Sequence, residues 1–106
     1  MNPRHLAAGL VLSAAFTTAP ASFAQGSAAD QARNLAATCA NCHGTNGRSA
    51  AAVPTIAGQT KADLLLKMNE YKDGKRPGTI MPQLAKGYTG AQIDAMAEWF
   101  AAQKAN

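Results

Sequence analysis

Aromatic side chains are scarce in this chain. One tryptophan, two tyrosines and three phenylalanines make up 6% of it, and beyond residue 24 only Tyr71, Tyr88, Trp99 and Phe100 remain. A small domain buries a smaller fraction of its surface than a large one, so a chain with few rings has little material for a self-sufficient core. Much of the apolar content is alanine instead. Cysteine is limited to Cys39 and Cys42, which excludes a disulfide-rich scaffold. No stretch alternates apolar and polar residues over strand length, so nothing marks a β-sheet. No internal repeat is visible either. A chain of this kind usually takes a staple such as a metal or a cofactor, and a large apolar group would supply the missing bulk.

Charge is also sparse. Charged residues make up 15% of the chain, and the net charge of +4 is spread along it. There is no dense basic cluster with interleaved aromatics, which argues against nucleic-acid binding.

The first two dozen residues read as an export signal. Arg4 gives a positive n-region, residues 6–16 form an apolar or small run, and Ala21-Ser22-Phe23-Ala24 offers small residues at a cleavage position. The run falls short of the roughly 20 residues of a spanning helix, so an uncleaved anchor is the weaker reading. We expect cleavage after Ala24, a single domain over residues 25–106, no membrane span after cleavage, and a periplasmic location.

What is present is a chemical motif. Cys39-Ala40-Asn41-Cys42-His43 has the Cys-x-x-Cys-His spacing of covalent c-type haem attachment. Two thiols three positions apart near a helix end reach both vinyl groups on one porphyrin edge, and the adjacent histidine falls under the iron. Three other readings compete. A disulfide would close a tiny loop and stabilise little. Zinc needs four ligands, and only Cys39, Cys42 and His43 are strong candidates. A thioredoxin-like dithiol belongs where a strand meets a helix, and the strand signal is missing. One motif means one haem.

His43 is the only histidine beyond residue 24, so the second axial position falls to a methionine, a lysine, water or nothing. Met68 and Met96 fall within helical patterns and read as core. Met81, in Gly78-Thr79-Ile80-Met81-Pro82, reads as a loop residue whose side chain no helix claims.

The periodicity predicts a helix over residues 28–38, with Ala29, Ala32, Leu35 and Ala36 on one face. A loop punctuated by Gly44, Gly47, Pro54 and Gly58 follows. Thr60-Lys61-Ala62-Asp63 reads as a capping box with Asp in the usual Glu place, opening a helix that Gly74 stops. Residues 75–87 read as the Met81 loop, with room for a helical turn at residues 83–86. Thr89-Gly90-Ala91-Gln92 opens a last helix, running to about Lys104 with Ile93, Met96, Ala97 and Phe100 on its stripe.

From about Ala28 onward, these residues resemble the class I c-type cytochromes. That resemblance implies an all-α fold of three to four helices around one covalent haem c, with its first and last helices crossed near Ala32, Leu35, Trp99 and Phe100. Pro54-Thr55-Ile56-Ala57-Gly58 is similar to the family's Pro-x-Leu-x-Gly stretch, with isoleucine for leucine. It implies that the Pro54 carbonyl accepts a hydrogen bond from His43 Nδ1, and it maps the distal ligand onto Met81. The stretches Tyr71-Lys72-Asp73-Gly74-Lys75-Arg76-Pro77, Thr79-Ile80-Met81 and Ala85-Lys86-Gly87-Tyr88 look like the haem subunit of flavocytochrome c sulfide dehydrogenase. Some members of that group carry two haems in tandem halves, so this chain matches only the short form.

The implied function is one-electron transfer between redox proteins, as a subunit accepting electrons from a sulfide-oxidising flavoprotein or as a diffusible shuttle to an oxidase or reductase. Lys61, Lys67, Lys72, Lys75, Arg76 and Lys86 flank the haem segments and are either steering charges for an acidic partner or ordinary solvated residues. An open-site haem enzyme or gas binder, and a non-haem thiol protein, are the remaining readings.

Overall fold

Ser27 starts the first helix by accepting a hydrogen bond from Asp30 N–H on its side chain, which satisfies one of the unpaired donors of the first turn. The computed structural model describes residues 26–105, so the export signal lies outside the described residues. Helix α1 spans Ala28–Ala37, and a turn through Thr38 and Cys39 leads into the four-residue α2, Ala40–His43. A 3-10 turn at Thr45–Gly47 and an extended loop follow. Helices α3 (Lys61–Lys72), α4 (Met81–Lys86) and α5 (Gly90–Ala101) complete the order. Among the described residues every regular element is helical, in agreement with an all-α class I cytochrome c fold.

The caps follow the sequence closely, with differences that have causes. Thr89 and Gln92 form the full reciprocal capping box of α5. Thr60 forms only half of one at α3. Its hydroxyl accepts from Asp63 N–H but donates to the Asp63 carboxylate, because aspartate is one methylene too short for the usual return bond to the cap backbone. Gly74, at φ +72°, ends α3 as expected: Gly74 N–H reaches the Tyr71 carbonyl and Lys75 N–H reaches the Glu70 carbonyl, the two bonds of a Schellman turn.

Two helix limits depart from expectation. Met81 does not sit in a loop but opens α4, because Pro82 falls in the first turn, where a missing N–H leaves no bond unmade. Helix α5 stops at Ala101 rather than Lys104. The Phe100 carbonyl is taken by Gly58 N–H at 3.0 Å, and Arg48 Nε holds the Lys104 carbonyl at 2.6 Å, so the tail is drawn onto the loop after α2.

The core forms where α1, α3 and α5 meet. Ala36, Leu64, Ala97 and Phe100 are buried together, with Cys39, Ile56, Leu65 and Trp99 packed against them. Helices α1 and α5 pack as expected, but the contact centres on Ala36, while Ala32 and Leu35 are only half-buried and Ala29 is exposed. Small residues let the helices approach closely, and Trp99 meets Phe100 edge to face at 5.0 Å, the geometry that aromatic quadrupoles favour. Lys61 ties α3 to α5 by bonding Asp94 at 2.9 Å and Glu98 at 3.1 Å. No helix among the described residues is long and apolar enough to cross a membrane.

Candidate functional site

Helix α2 is short because Gly44, at φ +80°, ends it after one turn, and its residues serve a cavity. Cys39 caps it, Cys42 and His43 complete its single turn, and all three line a cavity of about 470 Å³. That volume falls within the roughly 300–1,000 Å³ of small-molecule and cofactor sites. The remaining wall is mostly apolar. Helix α3 contributes Leu64, Lys67, Met68 and Tyr71, whose i, i+3, i+4, i+7 spacing puts them on one face. Helix α5 contributes Ile93, Met96, Ala97 and Phe100. The fourth side is Ile80, Met81 and Leu84, from the start of α4.

His43 is fixed within this wall. Its Nδ1 lies 2.6 Å from the Pro54 carbonyl oxygen, and a carbonyl can only accept, so Nδ1 carries the proton and Nε2 keeps its lone pair for a metal. The loop that delivers Pro54 is pinned two residues later, where Ile56 N–H and Ala57 N–H both donate to the Gly47 carbonyl at 2.8 and 3.1 Å. Gly47 is buried at φ +79°, with Ile56 and the Phe100 ring close over it. Both cysteines are free thiols, Cys39 half-buried and Cys42 exposed. Burial pushes the Cys39 thiol above its ordinary pKa, its bond with Thr38 opposes that rise in part, and neighbouring Cys42 adds to it.

Cys39, Cys42, His43, Pro54 and Met81, the residues singled out from the sequence, all line this one cavity. Met68 and Met96 line it as well; Met96 is deeply buried at 4% exposure, so its places in the core and on the cavity wall coincide, whereas Met68 is half-buried on that wall. Sequence reasoning missed Gln59, Lys67 and Arg76 as wall residues. The α3 periodicity was the available signal for Lys67, which stands in register with Leu64 and Tyr71. Most of the basic residues read as steering charges have acceptors on this chain: Lys61 has Asp94 and Glu98, Lys67 has Gln59, Lys72 has the Tyr88 carbonyl, Lys75 has Asp73 and Arg76 has Glu70.

A family model for cytochrome c matches residues 28–104. The chain belongs to the cytochrome c family. Over 66 residues it is 41% identical to the cytochrome subunit of sulfide dehydrogenase from Chlorobaculum tepidum, a match covering 62% of this chain and 60% of that one. It is 34% identical over 103 residues to a thiosulfate dehydrogenase electron acceptor from Thiomonas intermedia, covering 95% of this chain and 45% of that one. A third relative, cytochrome c-554(548) from Halomonas halodenitrificans, is 32% identical over 71 residues, covering 63% of this cytochrome and 86% of its relative. The chain thus spans less than two thirds of the first two relatives. Members of the family are electron carriers, and the first two relatives are by name a subunit and an electron acceptor of dehydrogenases.

The family implies covalent haem c, and the two cysteines at Cys-x-x-Cys-His spacing suit one such group. The local structure fits it on three counts. The cavity is apolar, two thiols stand on its wall, and the histidine between wall and loop has its metal-binding nitrogen left over.

Proposed function

We propose that this cytochrome carries one electron at a time on a single haem held by Cys39, Cys42, His43 and Met81, in the periplasm, after removal of residues 1–24. The observation that carries this reading is the 2.6 Å bond from His43 Nδ1 to the Pro54 carbonyl in a wall that also holds both thiols. Cys39 and Cys42 would hold the group covalently, each thiol adding its S–H across a vinyl double bond so that sulfur joins one carbon and hydrogen the other. His43 offers Nε2, and the Pro54 carbonyl orients the ring and makes it a stronger donor. Met81 offers its thioether from the start of α4, whereas Met68 and Met96 belong to the inward stripes of α3 and α5. The haem that His43 and Met81 would hold would supply a one-electron iron couple of raised potential. The apolar wall keeps water from the site.

We further propose that the donor is a sulfide-oxidising flavoprotein in which this chain is the haem subunit, a reading supported by the likeness to the Chlorobaculum tepidum subunit. A second reading, a free shuttle to an oxidase or reductase, is favoured by the 86% coverage of cytochrome c-554(548).

Purification of the native protein followed by intact-mass measurement tests the first proposal. A chain starting at Gln25 and carrying the mass of one haem is expected; a chain without added mass overturns it. A flavin-containing polypeptide that co-purifies at equal amount supports the subunit reading, and a lone cytochrome supports the shuttle.

A further inference from the structure

The carbonyl that takes the His43 Nδ1 proton belongs to a loop with little hold on itself. Arg48 N–H closes the 3-10 turn on the Thr45 carbonyl, and the next main-chain bond comes from Ile56 N–H to the Gly47 carbonyl. Between them, among the described residues, no main-chain to main-chain hydrogen bond involves residues 49–55. The Ser49 hydroxyl serves only Ala51, two residues on. Ala50, Ala51, Ala52 and Pro54 are exposed, so burial does little to fix this segment either.

Thr55 supplies the ties that the main chain lacks. Its Oγ1 accepts from Ser49 N–H at 3.1 Å, which joins the two ends of the loop behind Pro54. Its carbonyl accepts from Gln59 Nε2 at 2.6 Å. Gln59 is itself oriented, because its Oε1 accepts from Lys67 Nζ at 2.5 Å and leaves the amide nitrogen to face Thr55. Ser49 and Thr55 are both half-buried, so a Ser49 N–H that lost this acceptor would be left partly desolvated and unpaired. Thr55 does not line the cavity, although its neighbours Pro54 and Ile56 do. Its influence on the site therefore passes through the backbone.

We propose that Thr55 is a positioning residue for the iron-binding imidazole, its hydroxyl and its carbonyl together holding the Pro54 carbonyl on His43 Nδ1. This rests on the haem reading above. The Pro54 carbonyl and Thr55 N–H share one planar peptide unit. On one side of that plane the proline ring locks φ, and on the other side Thr55 is tied through both its side chain and its own carbonyl. With both flanks fixed, the carbonyl keeps its 2.6 Å contact with Nδ1 and the ring cannot turn. Without the hydroxyl, the limb that carries Pro54 is closed only downstream, at Ile56 and Ala57.

The test is nitrogen-15 NMR of the reduced, haem-loaded protein, reading deuterium exchange of the His43 Nδ1–H, with voltammetry on the same samples. T55V removes the hydroxyl and keeps the branched shape, whereas T55S keeps the hydroxyl and drops the methyl. T55V is expected to exchange roughly two- to tenfold faster, the factor that one net hydrogen bond supplies, and to have a displaced reduction potential. T55S stays near the parent in both. S27A, which deletes a side-chain acceptor of the same kind at the start of α1, is the control: it loses stability in denaturant unfolding and leaves the His43 exchange and the potential in place. Intact mass is read first for every variant. No added mass in the parent protein defeats the haem reading itself. In a loaded parent, T55V values that do not move, or that S27A or T55S reproduces, overturn the positioning role alone. Should T55V fail to load haem, T55A against T55S carries the comparison, since that pair differs only in the hydroxyl.

Discussion

Replacing Gly47 by alanine strikes the joint between the His43 loop and the last helix. The added Cβ would stand 2.8 Å from Ile56 Cγ1 and 2.8 and 2.9 Å from two carbons of the Phe100 ring, all well inside contact distance. Phe100 is 4% exposed and already set edge to face on Trp99, so its ring has nowhere to retreat. Alanine at φ +79° costs about 1–2 kcal/mol for the left-handed backbone, and overpacking a filled core adds about 1–3 kcal/mol. Gly74→Ala is the matched control. Its φ is +72°, but nothing lies within 4 Å of the added Cβ, so only the backbone cost applies. We expect Gly47→Ala to lose about 2–5 kcal/mol and Gly74→Ala about 1–2 kcal/mol in denaturant unfolding of the haem-loaded protein, with an unchanged slope. The same Gly47 variant should weaken the hold on Pro54, through Ile56 and Ala57, and thereby lower the reduction potential. Equal losses in the two variants would refute the close-packing argument.

Met81→Ala should lower the reduction potential and open the iron to added ligands such as carbon monoxide, whereas Met68→Ala and Met96→Ala should chiefly cost about 2–5 kcal/mol of stability. An unchanged potential in the Met81 variant transfers the ligand role to another residue. Pro54→Ala retains the carbonyl but frees the backbone, so a small fall in potential and stability is expected from voltammetry and unfolding; no change in either counts against the orienting role. Hydrogen bonds from Lys61 to Asp94 and Glu98 raise its pKa above the ordinary 10.5. The stabilisation is therefore complete below that value and fades as pH climbs through the higher folded-state one. The stability gap between the parent and Lys61→Met should be constant at neutral pH and shrink in strong alkali; a gap that persists there contradicts the ion-pair role.

The chemistry of the site was more legible in the sequence than its architecture. Cys39, Cys42 and His43 stand out by their spacing, and Met81, singled out by its apparent loop position and by likeness to a family, and Pro54, singled out by that likeness, fall on the same cavity wall. The start of α4 was hidden because Pro82 signals a loop as readily as a first helical turn, and only the neighbouring backbone decides which. The end of α5 was hidden because two contacts distant in sequence, Gly58 to Phe100 and Arg48 to Lys104, govern it. Lys67 and Arg76 read as surface charge because hydropathy sees a head group and not the direction in which a long stem leads it. Ala36 escaped notice as the centre of the α1–α5 contact because alanines crowd that helix, and only the crossing point distinguishes one from the next.

The clasp between Arg48 and the Lys104 carbonyl bears on how the protein is handled in the laboratory. A purification handle added downstream of Lys104 would crowd that clasp and the loop that carries Pro54 against the His43 imidazole, and on the proposed haem reading the crowding would be felt as a drift in voltage rather than as unfolding. A cleavable handle with a long glycine-serine spacer avoids that artefact, and comparing voltammograms before and after its removal would reveal whether the clasp had been disturbed.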